Sequence, residues 1–292
     1  MLRKIAALCC AMLMLFSVTT AHGQVERHAL LDEGFRLLEK GNIFIDRYNR
    51  ETGAAVEPLF ALGIPYFFGG GIQIEDIMLA SYPEYRQMKA WVTDGGYSVD
   101  KTYLVGLDCS GFTNYLYEKA GLGELGNLRD VFSNPAHREH FLYTHKEGQN
   151  LPADWEEAAR CLKVGDVVVA FHPARHLMMY IGTLADYGFT AEEVPLLAEY
   201  LHYPLVIHSG SNPLVKERFA NLIRTTERYK GCTPPDGGTQ VSILGVPTSL
   251  GEEMGLANGG MQYGFWLDAN TSMTIFNWDT VGVYVWYRKN LE

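Results

Sequence analysis

The stretch from Gly106 to Gly121 constrains this chain most strongly, because it sets a single cysteine at the start of a predicted helix. Apolar residues recur at helical spacing after the cysteine, as at Phe112 and Leu116, and the closing glycine supplies a stop. Cys109 therefore lies in the predicted first turn, where free backbone N–H groups and the helix dipole stabilise a thiolate. The stretch predicts a nucleophilic thiol, and a nucleophilic thiol needs a base from elsewhere in the chain.

Residues 1–23 are typical of a signal peptide. Two basic residues precede an apolar run of 14 residues from Ile5 to Val18, and small residues flank a cleavage point before Gln24. The run is shorter than the roughly 20 residues that a spanning helix needs. Leu8 precedes Cys9, where lipoprotein signals carry a small residue. We expect an exported protein, periplasmic or extracellular, with no stable membrane insertion.

The charge of the mature chain excludes some partners. With Arg3 and Lys4 removed, 22 basic residues remain against 34 acidic residues, a net charge of −12. Nucleic acid and anionic membranes are therefore not expected partners. An anionic substrate has to be held by specific contacts.

Three cysteines remain after signal cleavage, and their odd number leaves two readings. One is a bridge between Cys161 and Cys232, which fits an oxidising compartment and leaves Cys109 as the free thiol. The other is three free thiols. For Cys109 itself the alternative role is that of a small buried hydrophobe, which the flanking Asp108 and Ser110 make less attractive.

The order of the predicted elements indicates an α+β fold. An amphipathic helix is predicted from Glu26 to about Tyr48, with a break at Gly41-Asn42. A mixed segment at about 72–105, with helical patterns at 74–78 and 85–91, reads as an insertion, and residues 122–160 are irregular apart from a short helix at 155–160. The β-rich runs that follow, with Gly and Asn turns among the later ones, indicate antiparallel pairing: 166–171, 176–181, 205–208, 241–246, 263–267, 273–276 and 281–287.

A second insertion is predicted at about 184–204. The spacing of Thr190 and Glu193 predicts a capping box there, ahead of an apolar run that includes Leu197 and Leu201. The segment predicts a helical excursion from the sheet.

Two histidines are placed to complete a thiol site. Thiol catalysis needs an imidazole that takes and returns a proton, and a third polar group that fixes the imidazole tautomer. His176 stands at the head of one predicted strand and His208 near the end of another. Neighbouring strands would bring the two rings within hydrogen-bonding distance. The alternative is that either histidine is purely structural.

Four motifs in order along the chain resemble those of the NlpC-type cell-wall cysteine endopeptidases. They are Pro65-Tyr-Phe-Phe-Gly-Gly70, Asp108-Cys-Ser-Gly-Phe112, Leu162 to Val169 leading to His176-Leu-Met-Met-Tyr-Ile-Gly182, and Val206-Ile-His-Ser209. The chain departs from the family in the long spacing between the first two motifs, in the 32 positions from His176 to His208, and in Phe68, where tryptophan is common.

The resemblance implies a papain-like core in one catalytic domain, residues 24–292, in which helices pack against an antiparallel β-sheet with large insertions. It implies Cys109 as nucleophile, His176 as general base and acid, and His208 as the residue that orients the imidazole. We expect the backbone N–H of Cys109 to be an oxyanion-hole donor. No cofactor is implied.

The resemblance also implies a substrate. Tyr66, Asp108 and Ser110 match family positions that line the pocket for a free N-terminal amine, and a carboxylate with two hydroxyl groups suits an ammonium ion. The expected reaction is hydrolysis of peptidoglycan stem peptides at the γ-D-glutamyl-diamino acid bond, two residues from a free N-terminal L-alanine. The partners are therefore peptidoglycan-derived peptides.

Alternatives remain open at this stage. The same fold could act as an amidase or acyltransferase, or as a catalytically silent wall-binding protein. A metal site is the rival chemistry, since His137 and His140 are three apart and His172 and His176 four apart. Pro173 breaks a helix that would align the second pair, and no Glu follows the first pair in a zinc-protease pattern, so no metal is expected.

Overall fold

The computed structural model describes residues 27–70, 84–90, 97–125, 141–145, 154–171, 175–260, 262–276, 281 and 284–289. The predicted signal peptide and the helical pattern at 74–78 lie outside these residues. The helices are α1 (27–36), α2 (Ile43–Thr52), α3 (Cys109–Lys119), α4 (Trp155–Cys161), α5 (Pro213–Thr225) and α6 (Thr248–Glu253), with 3-10 turns at Ala185–Tyr187, Pro195–Tyr200 and Glu227–Tyr229. The strands are β1 (Gln87–Lys89), β2 (Thr102–Leu104), β3 (Phe141–His145), β4 (Val167–Ala170), β5 (His176–Thr183), β6 (Pro204–Ser211), β7 (Gly237–Ile243), β8 (Ala257–Asn258), β9 (Gln262–Trp266), β10 (Ser272–Phe276) and β11 (Tyr284–Tyr287).

A nine-stranded sheet organises the described residues. Its order is β3-β11-β4-β5-β6-β7-β10-β9-β8, and a separate hairpin joins β1 and β2. Neighbours in the large sheet are antiparallel except for β7 and β10, which run parallel. The chain is therefore an α+β protein with a mostly antiparallel sheet, as the sequence predicted.

Both faces of the sheet are covered, because successive strand residues point to opposite sides. On one face, Leu177 and Ile207 lie in the larger core cluster together with Phe112 and Leu116 of α3. The other face forms a second cluster that includes Met178, Tyr180, Val206 and Trp286. Burial on two faces explains the unbroken apolar run of β4, since neither side of that strand meets water.

The N-terminal segment breaks where the sequence indicated. The helix described over 27–36 ends before Gly41, and a second helix begins at Ile43. The Asn42 side chain accepts a hydrogen bond from the Phe44 backbone N–H at 3.0 Å and so caps the second helix. The predicted break at Gly41-Asn42 is confirmed.

The predicted helix over 85–91 is wrong, because Gln87–Lys89 form a strand that pairs with Thr102–Leu104. The reason is tertiary: the Tyr85 ring stacks on Phe60 with centroids 4.9 Å apart, and the Tyr85 N–H donates to the Tyr229 hydroxyl at 3.0 Å. These contacts hold the start of the segment in the core. Pairing across the hairpin then outweighs the local helical pattern.

Two other segments differ in part from the prediction. Thr190 and Glu193 do exchange capping hydrogen bonds, at 3.0 and 3.4 Å, but the apolar run that follows forms a 3-10 turn beginning at Pro195. Leu197 inside that turn has non-helical angles, which ends any regular α-helix. The segment 122–160, expected to be irregular, contains β3, which pairs with β11, as well as the predicted helix α4.

The three described cysteines are free thiols. Cys161 is exposed on α4, whereas Cys232 is buried and its thiol donates to Gln87 Oε1 at 3.0 Å. The Cys161–Cys232 bridge is therefore not formed, and of the two readings the sequence left open, the structure adopts the three free thiols. Among the described residues, none of the helices combines the length and apolar character needed to cross a bilayer.

Candidate active site

The predicted cysteine helix is confirmed, and it begins at Cys109 itself. Asp108 is the N-cap: its Oδ1 accepts the Gly111 backbone N–H at 2.7 Å. Its Oδ2 accepts the Gly69 N–H at 3.1 Å, so one carboxylate joins the helix start to the glycine turn of the first motif. The helix ends at Lys119, and Gly121 follows at a φ of 76°, which glycine adopts without strain.

The chain leading to the cysteine lies against the first motif. Leu107 donates its N–H to the Pro65 carbonyl at 3.1 Å and accepts the Phe67 N–H at 3.2 Å. Gly106 packs so closely that a Cβ on it would overlap the Pro65 carbonyl oxygen. The requirement for glycine is therefore steric. Backbone hydrogen bonds and close packing therefore hold together two motifs that are about forty positions apart in sequence.

His176 and His208 lie on neighbouring strands and contact each other. His176 Nε2 and His208 Nδ1 are 2.8 Å apart, and the ring planes are nearly perpendicular at 89°. Phe276 stacks on the His176 ring at 5.9 Å and 8°. His208 is fully buried, while His176 keeps partial access to solvent. The expected hydrogen-bonding distance between the two rings is confirmed.

A buried serine links this pair to the start of the cysteine helix. Ser209 follows His208 in β6, and its hydroxyl donates to the Leu107 carbonyl at 2.7 Å. Leu107 precedes Cys109 by two residues. This hydrogen bond therefore connects the segment that precedes Cys109 to β6, the strand that contains His208.

Burial keeps both imidazoles neutral at pH 7. It lowers the pKa of His176 from 6.5 to about 4. Burial, and then the charge of His176, lowers the pKa of His208 well below its ordinary value. A neutral imidazole is the form that can accept a proton from a thiol.

We expect the buried pair to make the protein less stable in mild acid. Between pH 6.5 and about 4 the unfolded chain binds protons at His176 that the native state does not bind, so the free energy of unfolding falls as the pH falls. From pH 7 to pH 5 the loss should be about 1–2 kcal/mol smaller in His176→Gln, which does not titrate. Urea denaturation of both proteins at the two pH values measures this.

The comparison of wild type with His176→Gln isolates the contribution of His176 to the pH dependence of stability. Burial raises the pKa of Glu39 to about 6, which acts in the opposite direction because the native state then holds the extra proton. Glu39 is present in both proteins and cancels. Equal pH dependence in wild type and His176→Gln would contradict the assignment of a low pKa to His176.

Tyr66, Asp108 and Ser110 lie together near the cysteine. Burial and then the charges of Cys109 and Asp108 raise the pKa of the half-buried Tyr66 hydroxyl, so this side chain lies in the field of both groups. The Ser110 hydroxyl donates to Asp108 Oδ1 at 2.7 Å. Asp108 is only 6% exposed, and both its oxygens already accept internal donors. Binding of a substrate amine by this group stays a prediction.

Several residues around the histidine pair were not found from the sequence. Ser242, Thr274 and Gln262 continue the hydrogen bonding beyond His208, and Phe276 covers the His176 ring. Gly210 also contacts the pair, since a Cβ on it would lie 3.0 Å from His208 Nδ1. The available signal was a polar residue between apolar neighbours within two strands, as in Val-Ser-Ile and Met-Thr-Ile.

Within the described ranges, no group of three or more His, Cys, Asp or Glu side chains could hold a metal ion. His137, His140 and His172 of the zinc alternative lie outside those ranges. A surface cavity of about 550 Å³ lies between α1 and the segment after α2, and none of the candidate site residues lines it.

Comparison of the chain with models of protein families, with curated proteins and with solved structures gives no match. The functional argument therefore depends on the residues and their geometry.

Proposed function

We propose that this chain is an exported cysteine peptidase that hydrolyses peptidoglycan stem peptides. Cys109 is the nucleophile, His176 the general base and acid, and His208 the residue that orients the His176 ring. The observation that carries the proposal is the 2.8 Å hydrogen bond between the two imidazoles, fastened through Ser209 to the start of a helix headed by a cysteine. That combination supports a papain-like arrangement of the core.

In the first half of the reaction, Cys109 Sγ gives its proton to His176 and attacks the carbonyl carbon of the scissile bond. The positive end of the α3 helix dipole favours the thiolate. The Cys109 N–H is the proposed donor to the tetrahedral oxyanion, an interaction worth roughly 3 kcal/mol at such sites. His176 then returns the proton to the leaving amine, and an acyl-thioester remains on Cys109.

In the second half, water attacks the thioester carbonyl and gives a proton to His176. The tetrahedral intermediate collapses, the carbon–sulfur bond breaks, and His176 returns the proton to Cys109. The products are a carboxylic acid, an amine and the regenerated thiol. His208 accepts from His176 Nε2 throughout, which keeps Nδ1 as the nitrogen that exchanges the proton.

The proposed substrate has a free amino terminus, because the carboxylate of Asp108 and the hydroxyls of Tyr66 and Ser110 are gathered beside the nucleophile. Such a pocket would set cleavage two residues from the end, at the γ-D-glutamyl-diamino acid bond. The mature chain carries a net charge of −12, so it would bind anionic wall fragments through local contacts. The insertion around β1 and β2 favours small, soluble muropeptides over the intact wall.

The test of this proposal is mass spectrometry of a substrate panel incubated with mature chain 24–292. We expect L-Ala-γ-D-Glu-diaminopimelate to release the L-Ala-D-Glu dipeptide, because its ammonium group can pair with Asp108. The matched control is the same tripeptide acetylated at its amino terminus, for which we expect at least a roughly 100-fold lower rate, since a lost charged hydrogen bond costs about 3 kcal/mol.

The other outcomes separate the alternatives. Equal cleavage of both tripeptides would overturn the amine pocket and leave the peptidase. Transfer of the dipeptide to an added amine, with no free acid formed, would indicate an acyltransferase. No reaction with either peptide, even when intact muropeptides and the isolated wall are supplied, would favour a silent wall-binding protein.

A further inference from the structure

A row of buried polar side chains continues from His208 across neighbouring strands of the sheet. His208 Nε2 lies 2.7 Å from the Ser242 hydroxyl. Ser242 is hydrogen-bonded to the Thr274 hydroxyl, which donates to Gln262 Oε1 at 2.8 Å. The members stand on β6, β7, β10 and β9 and are at most 3% exposed. Buried hydroxyl groups in this number need an explanation, because each costs free energy to desolvate.

The hydrogen bonds in this row can run in only one direction when Gln262 presents its carbonyl oxygen. That oxygen can only accept a hydrogen bond, so the Thr274 hydroxyl must donate its one proton to it. Ser242 must then donate to Thr274, and the Ser242 oxygen must accept from His208. The Nε2 of neutral His208 therefore carries the proton.

The same reasoning extends to His176. A neutral imidazole carries one proton, so His208 Nδ1 is bare and accepts from His176 Nε2. The second nitrogen of His176, Nδ1, is then bare as well. It is the nitrogen that a base needs.

We propose that Gln262, Thr274 and Ser242 are positioning residues that hold His176 in the tautomer with a proton on Nε2 and a free electron pair on Nδ1. Only the last step, the use of Nδ1 to accept the Cys109 proton, rests on the proposed function. The row ends at an amide, which has no proton site of comparable basicity, so it fixes a tautomer and does not conduct protons away. A reversed row would put the His176 proton on Nδ1 and remove the base.

The variant that tests this is Thr274→Val, which removes the hydroxyl and keeps the shape. Ser242 then loses its acceptor and becomes free to donate to His208, so the His176 tautomers mix. The matched control is Thr239→Val on β7, because the Thr239 hydroxyl is buried and has no hydrogen-bond partner among the described residues. Ser242→Ala has a similar control in Ser272→Ala, whose hydroxyl is also buried without a described partner.

The first readout needs no substrate. Long-range ¹H–¹⁵N correlation spectra of the full mature chain should show both histidines protonated at Nε2 in wild type and in Thr239→Val, and tautomer mixtures in Thr274→Val. The second readout is alkylation of Cys109 by iodoacetamide at pH 7, which should slow in Thr274→Val in proportion to the fraction of His176 that carries its proton on Nδ1, about twofold for an equal mixture. The rate should return to near wild type in Thr274→Ser, which restores the hydroxyl.

The outcomes distinguish the two proposals. Unchanged tautomers in Thr274→Val, or an alkylation rate equal to that of Thr239→Val, would overturn the positioning role and leave the peptidase intact. Protonation of His176 on Nδ1 in wild type would also overturn it. If the spectra show the assigned tautomers but no peptide is hydrolysed, the positioning role of Gln262, Thr274 and Ser242 is supported and the proposed reaction is refuted.

Discussion

Replacing Cys109 with alanine is expected to reduce release of L-Ala-D-Glu from the tripeptide to the background rate, a loss of at least about 10⁴-fold. The variant lacks the thiol that the proposed reaction acylates, and the neighbouring Ser110 hydroxyl already donates to Asp108. Mass spectrometry over long incubations measures the residual rate. The fold should survive, because alanine retains the Cβ and suits the first turn of a helix.

The same chain offers a matched control in Cys161→Ala, which removes an exposed thiol from the short helix α4. We expect this variant to hydrolyse the tripeptide at the wild-type rate. In wild type, the two thiols can be compared in one reaction: iodoacetamide at pH 7 should label Cys109 faster, although Cys161 is more exposed. Preferential labelling of Cys161, or hydrolysis that persists in Cys109→Ala, would refute the nucleophile.

Replacing Gly106 with alanine is expected to destabilise the protein by roughly 3 kcal/mol or more. The new methyl group would overlap the Pro65 carbonyl oxygen, which accepts the Leu107 N–H, so the first two motifs would have to separate. Tyr66 and Asp108 would move apart with them. Urea denaturation measures the change in the free energy of unfolding, and hydrolysis of the tripeptide should fall with it.

Gly34→Ala is the control for this substitution. A Cβ on Gly34, in the helix over 27–36, would meet Ile207 Cδ1 at an ordinary 3.4 Å, and alanine is favoured over glycine in helices. We expect this variant to be as stable as wild type or slightly more stable. If Gly106→Ala had the same stability as Gly34→Ala, the close packing of the two motifs would be wrong.

The sequence predicted the elements whose signals are local. Asp108 and the apolar spacing after it are enough to start a helix at Cys109, and continuous apolar runs mark β4 and β5. The adjacency of His176 and His208 followed because antiparallel neighbours are common in such sheets. The predicted roles of these residues await the experiments above.

What the sequence could not predict depends on pairing between distant segments. The strand at Gln87–Lys89 exists because Tyr85 is held by Phe60 and Tyr229, which no local pattern reports. The polar row depends on the order of β7, β10 and β9, including a parallel pair that alternating runs cannot reveal. A serine or threonine in a strand is equally consistent with a solvent-facing position. The buried hydrogen bonds of Ser242 and Thr274 therefore cannot be predicted without the strand register.

The hydrogen bond between Ser209 and Leu107 has a consequence for the order of folding. It joins positions about a hundred residues apart, and Tyr66 is likewise held by the Gly237 carbonyl. Contacts of such long range form late, because a large loop must close before they stabilise the chain. The start of the cysteine helix and the first motif are therefore joined to β6 and β7 only after the polypeptide has been completed as far as β7. If the proposed function and export hold, a chain translocated unfolded would assemble its thiol site only after it has left the compartment where it is made.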